Sequence, residues 1–164
     1  MRNLLKASGI ATAIAFAAFA PSAVAQEIHF KQTCHGVGGS NAESLGDREG
    51  HSIEVSQLSC LIEGGPMSGG VVTGGDIVEW DKTTGTVMSG DGVIRKPSGF
   101  VAYQEAGGKI VLTVTDGKVT GWGGSGKLRW VIATGSAAPL AGKEFVWTIK
   151  SGGAGQWEAD LATE

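Results

Sequence analysis

Apolar and polar residues alternate with period two through most of the chain after residue 26, and helical periodicity is nearly absent. Ile110-Val111-Leu112-Thr113-Val114-Thr115 places Ile, Leu and Val on one face, and Asp116-Gly117 follows as a strong hairpin signal. Lys118 to Trp122 begins the return strand. Lys127 to Thr134 sets Leu128, Trp130 and Ile132 against Arg129, Val131 and Ala133. Lys143 to Lys150 alternates around Phe145, Trp147 and Ile149, and Gln156 to Leu161 around Trp157, Ala159 and Leu161. Further strands are expected over Glu27–Cys34, Ser52–Ile62, Val71–Trp80, Thr86–Ile94 and Phe100–Glu105. In Ser52–Ile62 the apolar phase shifts between Val55 and Leu58, which predicts a bulge.

The separators are turn-formers: Gly64-Gly65-Pro66, Thr83-Thr84-Gly85, Pro97-Ser98-Gly99 and Ala106-Gly107-Gly108. Roughly eight or nine short strands predict an all-β domain, an antiparallel up-and-down barrel of about eight strands in preference to a Greek key. Gly36 to Gly50 is the one long polar segment and is expected to be a loop. With 28 glycines in 164 residues but only 4 prolines and no G-X-Y period, a collagen-like chain is excluded.

Residues 1–25 follow different rules. Arg2 and Lys6 precede the apolar run Ile10–Ala20, Pro21-Ser22 breaks it, and Ala23-Val24-Ala25 fits a small-x-small cleavage site. That order predicts a secretory signal peptide, with a mature domain over residues 26–164 in the periplasm or outside the cell. The run is too short to span a bilayer, which needs about 20 residues, so the cleaved protein is not expected to cross a membrane. Without the leader 11 basic and 16 acidic side chains remain, a net charge of −5. With no basic cluster, a nucleic-acid partner is disfavoured.

Export changes the reading of the two cysteines. Cys34 and Cys60 are an even pair in an oxidising compartment, so one disulfide is expected, bracketing the polar segment. A metal site built from Cys34, His35 and Cys60 with His29 or His51 matches no zinc spacing and would need free thiols, so no metal is expected.

Two phosphate-binding patterns are rejected. Gly121-Trp122-Gly123-Gly124-Ser125-Gly126 satisfies G-x-G-x-x-G, and Gly121 to Lys127 satisfies most of a P-loop. Both need a helix to start there, whereas Leu-Arg-Trp-Val-Ile predicts a strand, so the segment reads as a glycine-rich turn. No G-x-S-x-G or H-E-x-x-H occurs, and no cofactor is implied.

Carboxylates and aromatics remain. Glu54, Glu63, Glu79, Glu144 and Glu158 mostly alternate with apolar neighbours and are expected to face solvent. Glu105 shares its phase with Val101 and Tyr103, so it is a candidate inward carboxylate beside the single tyrosine, positioned to pair with its hydroxyl. Trp80, Trp130 and Trp147 fall on apolar faces, either as plain core or as the wall of a ligand cavity. The candidate ligand-binding set is Trp80, Tyr103, Glu105 and Trp130.

Gly126-Lys127-Leu128-Arg129-Trp130-Val131-Ile132-Ala133-Thr134-Gly135, then Leu140-Ala141-Gly142-Lys143 and Gly155-Gln156-Trp157, resembles the C-terminal strands of allene oxide cyclase-like and dirigent-like barrels. The motif covers about the last 45 residues; the rest matches only in length and strand rhythm. The resemblance implies a closed eight-stranded antiparallel barrel, often oligomeric, whose cavity accepts hydrophobic small molecules. None of those enzymes' catalytic residues maps onto a position here, so activity does not carry over. The expected function is therefore binding of a small apolar or aromatic ligand. One alternative is an isomerase or cyclase working in the cavity. Another is a structural envelope protein with a filled barrel.

Overall fold

The structure, a computed structural model, describes residues 27–39, 41–153 and 155–164. The leader expected over residues 1–25 lies outside them. Nine strands follow one another: β1 (His29–Gly36), β2 (Asn41–Ser44), β3 (His51–Glu63), β4 (Val71–Asp81), β5 (Thr84–Lys96), β6 (Gly99–Thr115), β7 (Lys118–Ala133), β8 (Glu144–Gly153) and β9 (Gln156–Thr163). Each of β3 to β8 pairs antiparallel with the next, and β1 pairs with both β9 and β3, which closes an eight-stranded barrel. β2 lies outside the ring, along β3. The fold is the expected meander, because each link is short enough to return the chain beside the strand it left.

The closing seam carries the disulfide. Cys34 and Cys60 stand directly opposite in the β1–β3 register, with Cα atoms 4.0 Å apart, and are bonded. The bond therefore joins two barrel strands in addition to bracketing residues 36–50, and both cysteines are buried on the inner face. The bracketed segment is not wholly a loop, since Asn41–Ser44 pairs with β3.

Two pairs of expected strands are single long ones. β6 runs 17 residues through Ala106-Gly107-Gly108, with a bulge between Glu105 and Gly107 where Gly107 takes φ +107°. β7 runs 16 residues through the glycine-rich stretch 121–126, which is a strand and not a turn. Asp116 and Gly117 make the hairpin between them, both with positive φ, as a two-residue I′ turn requires. The bulge expected in β3 is absent from its pairing with β4. A register shift next to Tyr103 and Trp130 does occur between β6 and β7, and it turns Ile132 outward, leaving it 53% exposed.

One end of the barrel is packed solid. Phe30, Trp130 and Phe145 form an aromatic cluster with ring centroids 4.7–5.7 Å apart. A 3₁₀ turn, Gly135–Leu140, lies across that end, burying Ala137 and Leu140. Ser136 ties it down by donating its hydroxyl to the Pro66 carbonyl.

Candidate functional site: the barrel cavity

At the other end the interior is hollow. A cavity of about 430 Å³ extends to Gly36, Gly38 and Gly155, where β1 ends and β8 turns into β9. It arises from the inward residue of each strand pair. Val78, Val87, Ile110, Leu128 and Leu161 supply an apolar wall, and Trp122 and Trp157 stand together near the mouth with centroids 5.6 Å apart.

Inward glycines make the room. A Cβ on Gly92 would lie 2.7 Å from Tyr103 Cζ, and one on Gly90 would lie 2.8 Å from the Glu105 carboxyl carbon. Gly108 and Gly126 likewise leave the space that the Trp147 indole occupies. These glycines sit within β5, β6 and β7, so their role is clearance rather than turning.

All four candidate residues line this cavity: Trp80, Tyr103, Glu105 and Trp130. Tyr103 and Glu105 share the inner face of β6, but they do not pair. Burial raises the Tyr103 hydroxyl pKa above its ordinary value, with the charges of Glu105, Asp76 and Asp91 adding to the effect. Glu105 is pushed up to about 7, first by burial and then by Asp76, and its Oε2 has no hydrogen-bond partner. Trp130 is fully buried and Trp147 is 5% exposed; the Nε1 of each is also without a partner.

The pattern of alternation hid three further wall residues. Glu54, expected to face solvent, points inward and accepts a hydrogen bond from Trp80 Nε1 at 2.6 Å. Ser56 also points inward and donates to Asp76 of β4. Burial raises the Asp76 pKa, and Glu54 raises it further. These polar residues occupy the inner phase of β3 and β4, which is why Val55, flanked by them, faces out at 49% exposure. Inward Glu54 and Ser56 were the source of the apparent phase shift. Across the register Ser56, Asp76, Gly90 and Glu105 form one row around the wall, since Ser56 pairs with Asp76, Asp76 with Gly90, and Glu105 lies over Gly90.

A second polar cluster lies on the outer face. His51, at the start of β3, is 6% exposed; it contacts Asp47 through Nδ1 at 2.5 Å and Glu79 through Nε2 at 2.8 Å. Those contacts raise its pKa, Asp47 the more strongly, and pin the loop between β2 and β3. Among the described residues no group of three His, Cys, Asp or Glu side chains is placed to hold a metal ion. None of the helices described is long and apolar enough to cross a membrane.

No protein-family model matches the chain, and no curated protein matches it either.

Proposed function

We propose that this barrel is an exported carrier or receptor that takes one small, largely apolar or aromatic molecule into its hollow end. The observation that carries the reading is the cavity itself. Its volume of about 430 Å³ suits a small ligand. Its wall combines apolar side chains with the carboxylates of Glu54, Asp76 and Glu105. A structural barrel would fill this space as it fills the other end. The resemblance to allene oxide cyclase-like and dirigent-like barrels supports the same reading, as do the leader and the disulfide for export.

A second reading, an isomerase acting in the cavity, is favoured by one observation. Glu105, its pKa pushed up to about 7, shares the inner face with Tyr103 without pairing to it, and a carboxyl that titrates near neutrality is suited to moving a proton on a bound substrate.

Saturable quenching of tryptophan fluorescence tests the binding reading, because Trp80, Trp122, Trp130, Trp147 and Trp157 all line the cavity. The panel consists of neutral, cationic and anionic aromatic compounds. Saturation by at least one compound, weakened by Trp122→Ala at the mouth, is expected. Its absence across the panel leaves the filled-barrel reading in place.

A further inference from the structure

The chemistry of the wall narrows the ligand class, an argument that rests on the binding reading above. Among the described residues that line the cavity are three carboxylates, Glu54, Asp76 and Glu105, and no lysine, arginine or histidine. The hydrogen bonds made to Glu54 and Asp76 from within come from the neutral donors Trp80 and Ser56. Glu105 Oε2 is buried and has no hydrogen-bond partner among the described residues. Carboxylates held out of water without a countercharge are costly, and a bound cation would relieve that cost. The aromatic rings of Trp80, Tyr103, Trp122 and Trp157, on the same wall, add faces that attract a cation.

A separate observation points to the rest of the molecule. Trp130 and Trp147 are more than nine-tenths buried, line the cavity, and have indole N–H groups with no acceptor. Trp130 is registered with Tyr103, which is nearer the sealed end of β6 than Glu105. A buried donor of this kind calls for an acceptor.

We infer that the ligand is a cationic amphiphile: an aromatic or aliphatic amine whose ammonium group sits against Asp76 and Glu105, with an oxygen acceptor at its deep end. A neutral lipid or a carboxylic acid would leave the carboxylates unpaired, and an acid would add a fourth negative charge to the site.

Calorimetry at pH 8 with four matched compounds tests this. They are 4-methoxyphenethylamine, its alcohol analogue 2-(4-methoxyphenyl)ethanol, the anion 4-methoxyphenylacetate, and phenethylamine without the methoxy oxygen. The methoxy amine is expected to bind at least tenfold more tightly than the alcohol, and the anion to give no measurable heat. Phenethylamine should bind a few-fold more weakly than its methoxy form, and Trp130→Phe, which keeps a ring and loses the indole N–H, should remove that difference. The double variant Asp76→Asn, Glu105→Gln keeps side-chain shape, so it should fold, which near-ultraviolet dichroism checks. It should reduce amine affinity at least tenfold, towards that of the alcohol. Equal binding of amine and alcohol, or preference for the anion, overturns the cationic assignment while leaving a binding cavity. No advantage from the methoxy group overturns the acceptor. No binding by any of the four, together with a silent fluorescence panel, overturns the binding reading itself.

Discussion

The carboxyl carbon of Glu105 lies 2.8 Å from where a Cβ on Gly90 would stand, so this glycine in β5 is what allows an acidic side chain to lie across the barrel wall. Gly92, two residues on, is confined more tightly. Its Cβ would meet the Thr73 carbonyl oxygen at 2.6 Å as well as the Tyr103 ring. A carboxylate at the end of a flexible side chain can swing away, whereas backbone cannot. Gly90→Ala is therefore expected to cost about 1 kcal/mol and to move Glu105, and Gly92→Ala about 2–3 kcal/mol, in the range of overpacked cores. Chemical denaturation of both variants checks the order, and equal costs would show that Gly92 is not confined as described.

The strand rhythm, the Asp116-Gly117 hairpin and the cysteine pair were all legible, because each is a local signal. So was the inward direction of Tyr103 and Glu105, which follows from period two alone. What sequence could not show was the meaning of polar residues in the inward phase. Glu54 and Ser56 break the alternation of β3 because they face a cavity instead of a core. The same ambiguity applies to glycine. Gly108 and Gly126 look like turn residues, yet they are strand positions emptied to seat Trp147, a contact made between strands. The phase change that exposes Ile132 is likewise a product of pairing, and nothing local announces it.

The Cys34–Cys60 bond closes the seam between the first barrel strand and β3, across 26 residues of sequence. In the chain-entropy model a loop of that length is worth roughly 3–4 kcal/mol. Replacing both cysteines with alanine should lower the unfolding free energy by about that amount, with the apolar inner position kept. Thiol labelling of the unreduced, unfolded wild-type protein should find no reactive groups; a titre of two would refute the bond.

Trp130 anchors the sealed end, fully buried between Phe30 and Phe145. Truncation to alanine leaves a large void that these neighbours cannot close, with an expected cost of roughly 3–5 kcal/mol. Trp122→Ala, at the half-exposed mouth, should cost far less and act on ligand affinity instead. Thermal unfolding of the two variants separates the roles, and similar losses would contradict a division into sealed and hollow ends.

His51 and Glu105 should both make stability fall as pH rises, over different windows. The His51 pKa is raised by Asp47 and Glu79, against the opposing charge of Arg48. Its contribution is fully present below about pH 6.5, the unfolded value, and is lost as pH rises through the folded one. The ring should titrate above 6.5 by nuclear magnetic resonance. His51→Gln should lose more stability relative to wild type at pH 6 than at pH 9.

Glu105 is an acid whose folded pKa is raised, to about 7 from an ordinary 4.5, so the folded state holds its proton over a window where the unfolded chain has released it. Stability is then unaffected by this group below about pH 4, falls as pH rises between 4.5 and 7, and carries the full penalty above that. Asp76, raised by burial and by Glu54, acts in the same direction. Glu105→Gln removes the ionisable group and keeps its shape on Gly90. It should match wild type at pH 4 and exceed it by about 1–2 kcal/mol at pH 8, a figure reduced for the side chain's partial exposure. Denaturation at four pH values between 4 and 8 measures the difference directly. A gain that is constant with pH, or that shrinks as pH rises, would mean that the carboxylate already has a countercharge inside the barrel.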